Sequence, residues 1–432
     1  MSELPTGWIE VPIGMVCEVV GGSTPRTTVD DYWDGDIPWL TPDDLSRDRS
    51  QYVAAGRRCL TKTGYSSCST QLIPAGSVLY TSRAPIGYVA IAKQAVCTNQ
   101  GFKSFVPPPG LSSRYLYWYL QSATPMIRKL GSGTTFAEIS GKVAKTIPLR
   151  LPPTAEQERI VVAIEEQLSR LDTAEQLLRS SLQRCDVLSR SFMRTLEEWP
   201  LVPLADLLEK PLANGRSVPT AENGSGFPVL RLTALRNGFV DLSERKVGAW
   251  GRRDAERYIV QEGDFLIARG NGSLALVGRG GLVTADPDAV AYPDTMIRAR
   301  VDRKQMSPEF LRWVWDSSTV RRQIERAAKT TAGIHKVNQQ DLGHVAVPLP
   351  PPEVQGAIVG DLERQQSVLQ ALTKSIHQAL GRSNQLRRSV LECAFSGRLV
   401  PQDPNDEPAP ELLARIASDH RKTAKPRRRQ RA

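Results

Sequence analysis

Two stretches of this chain space their apolar residues alternately four and three apart. In the first, Ile164, Leu168, Leu171, Leu178, Leu182 and Cys185 follow that rule, with Glu175 interrupting. In the second it is followed by Ile358, Leu362, Leu369, Leu372, Ile376, Ala379, Leu386, Val390 and Cys393, with Gln365 and Ser383 as polar members. Such spacing marks the seam of a coiled coil. It predicts a long helix within residues 153–198 and another within 351–400, each about 40 residues or ~60 Å long at ~1.5 Å per residue. A lone helix of that length exposes its apolar stripe, so each is expected to pair, antiparallel, with the other.

The stretches before each helix have a different rhythm. In 1–152, short runs rich in β-branched and aromatic residues (Val16 to Val20, Ser77 to Ser82, Gly87 to Ala92) are punctuated by Gly and Pro, the signature of strands and turns. A single helix is expected from Ser113 to Leu130, with Tyr115, Leu116, Tyr119, Leu120, Ile127 and Leu130 near one face. Residues 199–350 repeat the plan. Val11-Pro12 answers to Val202-Pro203, Gly76 to Arg83 to Gly263 to Arg269, Tyr115 to Trp118 to Phe310 to Trp313, and Leu151-Pro152-Pro153 to Leu349 to Pro352, followed by Gln157 and Gln355. The expected fold is α+β: two similar globular domains, 1–152 and 199–350, separated by two long helices forming an antiparallel coiled coil. The loops around 26–70 and 211–258 differ freely between the copies, which suits one scaffold carrying two different recognition surfaces.

Composition narrows the class. A chain of 432 residues with 40% hydrophobic and 24% charged content is an ordinary globular protein of several domains. Met1 to Glu10 lacks the apolar core of a signal peptide and no apolar run is long enough to span a bilayer, so a cytoplasmic location is expected. The six cysteines form no C-x-x-C pair and the four histidines have no ligand spacing, so free thiols and no metal are expected. Of the net charge of +10, seven units fall in residues 420–432, which hold no acid. Residues 401–432 are therefore expected to be a basic, disordered tail.

Taken in order, Trp8 with Val11-Pro12, Gly22 to Pro25, Ile37 to Pro42, Gly76 to Arg83, Leu151 to Ile160 and Leu391 to Val400 resemble the specificity subunit of type I restriction-modification systems. The resemblance covers nearly the whole chain, to about residue 418. It implies that each globule is a target-recognition domain reading one half of a split double-stranded DNA site, and that the helices fix the unread gap. It also implies that the helices dock two methyltransferase subunits and that motor-nuclease restriction subunits join them. S-adenosylmethionine, ATP and Mg are then expected on those partners and no cofactor on this chain. In the second copy Val354 stands where the first has Glu156, which puts a role for that glutamate there in doubt.

The residues themselves suggest where DNA is met. Arg83 and Arg269 end equivalent strands, and arginine pairs bidentately with guanine or grips phosphate. Thr134, Thr135 and Lys142 in one copy, and Thr330, Thr331, His335, Lys336 and Asn338 in the other, occupy equivalent segments before the last strand. Each set makes a candidate phosphate-holding loop; a plain connecting turn is the competing reading. Asn99, Gln100 and Lys103 are candidates for base edges. Gly270 to Ser273 and Gly278 to Gly281 lack nucleotide-loop spacing and read as hairpin turns. Two other functions remain open from sequence. One is a stand-alone DNA-modifying enzyme, disfavoured because no Asn-Pro-Pro-aromatic or Asp-Pro-Pro-aromatic tetrapeptide occurs and no Glu-x-Lys follows Pro293-Asp294. The other is a coiled-coil scaffold without DNA readout.

Overall fold

The computed structural model describes residues 4–131, 137–222, 224–285, 288–331 and 333–423. The chain divides into two compact units, Met1–Leu177 with Ala379–Ala432, and Leu178–Gln378.

In the first unit a five-stranded sheet runs in the order Glu18–Gly21, Lys103–Val106, Val78–Tyr80, Val89–Ala92, Tyr52–Val53. The strands are shorter than the runs that predict them: Val16 closes a 3-10 turn from Ile13–Met15, so its strand begins only at Glu18. The helix Ser113–Arg128, capped by the Ser112 hydroxyl, which accepts from Tyr115 N–H, packs against the sheet. Tyr115, Leu116, Leu120 and Ile127 join Val78, Tyr80 and Phe105 in one core. Leu130 lies past the helix end and is 39% exposed, so it leaves the face assigned to it. The strand Ile9–Pro12 pairs antiparallel with Pro148–Leu151, closing the globule where the chain enters and leaves it.

The second unit repeats that closure with Leu201–Pro203 against Ala346–Pro348. Its main sheet has six strands, in the order Leu208–Asn214, Met296–Val301, Phe265–Ala268, Gly280–Leu282, Phe239–Val240, Leu235–Arg236. Gly280 and Gly281 are thus strand residues paired with Ile267 and Leu266, not the hairpin turn expected of them. A Cβ at Gly280 would lie 2.1 Å from Phe265 Cζ, so the glycine serves close packing rather than a bend. The single helix of the first globule becomes two here, Pro308–Trp315 and Ser318–Ala327, because the Ser317 side chain caps a new start by accepting from Val320 N–H.

The long helices are Thr154–Arg194 and Pro352–Phe395. Within the first unit their segments run antiparallel. Arg387 pairs with Asp172 at 2.5 Å and Glu175 at 3.5 Å, and Ile164 and Leu168 share a core with Val390, Leu391 and Phe395. The polar break at Glu175 is therefore matched by an arginine from the facing helix. Within the second unit Phe192 and Met193 join Ile358 and Leu362. The second seam departs from strict heptads: Leu372 and Leu386 are 46% and 52% exposed, while Thr373 and Arg387 are partly covered. Leu362, Leu369, Ile376, Ser383 and Val390 keep the seven-residue spacing and are covered; it is the alternate position that moves, from Leu372 and Leu386 to the residue that follows each.

One side chain joins each long helix to its globule in the same way. Gln157 accepts from Ser112 N–H at 2.8 Å and donates to the carbonyls of Gly110 and Pro152, both at 3.1 Å. Gln355 accepts from Ser307 N–H at 2.8 Å and donates to the carbonyls of Gln305 at 2.8 Å and Pro350 at 3.0 Å. Both glutamines are buried. The neighbouring position differs. Glu156, 1% exposed, accepts from Trp8 Nε1 at 3.0 Å, and among the described residues its other carboxylate oxygen has no partner within hydrogen-bond geometry. Val354 occupies that place in the second unit.

The expectation for residues 401–432 needs correction. Ala409–Thr423 form a helix whose Ala409, Leu412 and Ile416 are buried in the first unit's core. It is fastened by Arg159 to Asp406 at 2.6 Å and by Ala409 N–H to the Gly7 carbonyl at 2.9 Å. The basic charges beyond it mask an amphipathic pattern in the sequence; residues 424–432 lie outside the described residues. No described helix is long and apolar enough to cross a membrane.

Two outcomes are expected. Gln157→Ala leaves the Ser112 N–H and the Pro152 carbonyl without that partner, the Gly110 carbonyl keeping the Thr154 hydroxyl, and Gln355→Ala leaves the Ser307 N–H and the carbonyls of Gln305 and Pro350. Each should cost about 1–3 kcal/mol in denaturant unfolding of the unit concerned, and no measurable loss at either would refute the joint. Burial pushes the Glu156 carboxyl above its ordinary range, against the Trp8 hydrogen bond and the Arg159 charge. A group whose pKa rises on folding stabilises the fold while protonated and loses that contribution as pH climbs through the raised value. Glu156→Gln should therefore raise the thermal midpoint at neutral pH, and the gain should fade on acidification below the ordinary carboxylate range; a midpoint lowered at neutral pH would show that the charge is needed.

Candidate nucleic-acid interface

In the first globule three segments converge at the end of strand Val78–Tyr80. Ser82 N–H donates to the Gly101 carbonyl at 2.7 Å, and Ile139 N–H donates to the Ser82 carbonyl at 2.9 Å. This brings Arg83 and Lys103 to one acid, Glu138, at 3.6 and 3.7 Å, with the Gln100 carbonyl 3.5 Å from the Lys103 ammonium. The Lys103 ammonium also reaches the Ser82 hydroxyl at 3.4 Å. Burial lowers its pKa and Glu138 opposes the shift. The Asn99 side-chain oxygen accepts from Gly101 N–H at 2.8 Å, and that of Gln100 accepts from the Thr24 hydroxyl. Reading adenine needs both ends of a carboxamide; in Asn99 and Gln100 the oxygen is already engaged within the fold. Arg83 is the candidate here with a partly open guanidinium. Lys142 stands exposed on the short helix Gly141–Lys145. Thr134 and Thr135 lie outside the described residues.

The second globule arranges the equivalent segment as a ribbon rather than a loop. Strands Gly270–Asn271, Ile334–Lys336 and Lys329–Thr331 form a three-stranded antiparallel sheet in that order. Gly333, with φ of 76°, sits in the turn between the last two. Thr330 is paired with His335, and its hydroxyl lies 3.1 Å from His335 Nδ1. Lys336 is paired with Gly270 on one side and Lys329 on the other. Arg269 adjoins the ribbon, its carbonyl accepting from Val337 N–H at 2.9 Å. Thr331 lies at the strand end, paired with Ile334.

Asn338 is a helix cap in this structure. Its side chain caps the helix Gln339–Gly343, accepting from Asp341 N–H at 2.8 Å while Asp341 accepts from Asn338 N–H at 3.0 Å. The Asn-x-x-Asp spacing is itself the sequence signal for that role. Lys329 and Ile334, absent from the sequence candidates, are placed at the ribbon's surface. The sequence signal that finds them is a pair of short runs holding Thr330, Thr331 and Ile334 on either side of Gly333.

Comparison with known proteins places this arrangement. The family model described as type I restriction modification DNA specificity domain matches twice, at residues 5–181 and 196–382. The EcoKI specificity subunit of Escherichia coli K12 is 27% identical over 431 residues, covering 93% of this chain and 91% of that one. The MjaIX specificity subunit of Methanocaldococcus jannaschii is 35% identical over 201 residues, a match spanning 46% of this chain and 45% of its relative. Among solved structures, a chain from work on complex assembly and conformational transition of the type I R-M system superimposes with a TM-score of 0.71 at 19% identity, covering 92% of this chain and all (100%) of that one. The HsdS subunit from Thermoanaerobacter tengcongensis gives 0.63 at 18% identity, with 92% and 98% covered. At those identities the structures speak for the fold.

Glu138 neutralises the two cations that flank it. Glu138→Gln is expected to tighten binding of a mixed-sequence DNA duplex several-fold at low salt and to steepen its salt dependence, read by fluorescence anisotropy. Unchanged binding would place this corner off the DNA.

Proposed function

The chain belongs to the type I restriction modification DNA specificity family, and from that membership we propose how its parts divide the work. It is a sequence-specific DNA-recognition subunit. Each globule reads one half of a bipartite site, and neither carries catalysis. The observation that supports this reading is the duplication itself. The family domain occurs twice, and both copies are tied to a long helix by the same buried glutamine, while the surfaces that the strands present differ. One scaffold with two unlike faces suits two unlike words in one target. Joining two weak readers in one chain multiplies their affinity through effective concentration.

The helices supply the gap and the docking in this reading. At 41 and 44 residues they measure ~60 and ~66 Å, about two turns of B-DNA. They also expose Val162, Val187, Val368, Leu372 and Leu386, each more than 40% accessible. In this reading these side chains are contact points for partner subunits. Two methyltransferase subunits, carrying S-adenosylmethionine, are the proposed occupants. Restriction subunits using ATP and Mg complete the assembly, and chemistry resides in those partners.

Replacing residues 1–152 by the corresponding domain of another family member should change one half of the methylated sequence and leave the other intact, as read by mapping modified adenines across a genome. A change in both halves would rule out the modular reading. Methyl transfer by the purified chain alone would rule out the non-catalytic one.

A further inference from the structure

The second globule holds a charge arrangement that its own fold does not need. Lys329 and Lys336 are direct partners across the ribbon. Side chains of directly opposed residues leave the same face, about 5 Å apart at Cβ, and like charges placed so destabilise the pairing. Both lysines are exposed, and among the described residues neither has an ion pair. On the far side of Lys336 the partner is Gly270, where a Cβ would come within 3.2 Å of the Lys336 side chain. The glycine therefore leaves the lysine stem room on that face. Ile334 alternates onto the same face as Lys336 and is 42% exposed. A hairpin selected for stability alone would oppose a lysine with threonine or an acid, and would cover an isoleucine.

A repulsive pair of cations beside an uncovered apolar residue is explained by a ligand that supplies negative charge and an apolar edge together. Duplex DNA does both: phosphates line the groove, and thymine methyl groups face into the major groove, which admits a β-ribbon. Ammonium groups on flexible stems suit phosphate as point charges. We propose that the ribbon of strands Lys329–Thr331 and Ile334–Lys336 enters the major groove at the second half-site, with Lys329 and Lys336 gripping phosphates and Ile334 facing the bases. This deepens the DNA-reading function proposed above and rests on it. It also moves the contact from a phosphate-holding loop to a strand pair. The opposite face, with Asn271, Thr330 and His335, is then turned away from the bases, its Thr330–His335 contact holding the two strands in register.

The test uses the full-length chain, as Lys329→Gln, Lys336→Gln and the double variant, with a mixed-sequence DNA duplex as probe. Each lost phosphate contact flattens the slope of log K against log salt by ~0.9, so the double variant should lose ~1.8. Lysine-to-arginine exchange at both positions should restore it. The same glutamine variants should keep or raise the thermal midpoint of the free chain, because a repulsion has been removed; a purely structural role would lower it. Ile334→Ala should relax discrimination at the second half-site only. An unchanged salt slope in the double variant overturns the proposal, even if assembly with protein partners suffers, since the lysines would then serve a protein contact. A lowered midpoint with unchanged binding overturns it as well. If the unmodified chain fails to bind duplex at low salt, the parent reading falls with it; if it binds and the variants match it, the ribbon assignment alone falls.

Discussion

Where each long helix leaves its globule, three backbone groups converge on one point, and a single buried carboxamide bonds to all three. Gln157 and Gln355 donate twice and accept once, so no other residue of similar size fills the role: glutamate lacks the donors and leucine lacks everything polar. The bond to Ser112 or Ser307 N–H fixes the segment that launches the domain helix. In the first unit that helix packs on strand Val78–Tyr80, whose end presents Ser82 and Arg83. The direction of the Arg83 corner relative to the long helix is therefore set by the hydrogen bonds of one side chain.

The two copies diverge where the surroundings diverge. Glu156 and Val354 occupy one position, yet only the first lies near Arg159, Asp406 and Gln402. Those groups belong to the start of the long helix and to the C-terminal segment that covers the first core. A carboxylate is tolerable there because Trp8 Nε1 donates to it, although among the described residues its other oxygen has no partner within hydrogen-bond geometry. In the second unit Trp199 is partly exposed, and an apolar side chain takes the glutamate's place. Covering one globule and not the other changed what its joint could hold.

Much of the architecture was legible because it repeats and because it is periodic. The seam, the Val-Pro strand starts and the paired glutamines are all visible as spacing. The candidate site was less so, for a local reason. In sequence Asn338 reads as part of a phosphate-holding loop and Asn99 as a base reader, but short polar side chains bond nearby backbone, one capping a helix and the other a turn. Lys329 went unnoticed because its meaning lies in its cross-strand partner, which sequence order hides. Leu372 and Leu386 fit one position of the heptad on paper, but Thr373 and Arg387 beside them take that side of the helix, while Leu362, Leu369, Ile376, Ser383 and Val390 keep the other. The helix at 409–423 was obscured by the arginines that follow it.

The first unit is assembled from both ends of the chain, Met1–Leu177 with Ala379–Ala432, whereas the second is one uninterrupted piece. A nascent chain leaving the ribosome thus carries a complete second globule before the first has received Phe395, Leu412 and Ile416, the residues that cap its core. Order of synthesis and order of completion are reversed. Translation arrested late, after the second globule has emerged, would release a polypeptide with one finished reader and one still open at its base.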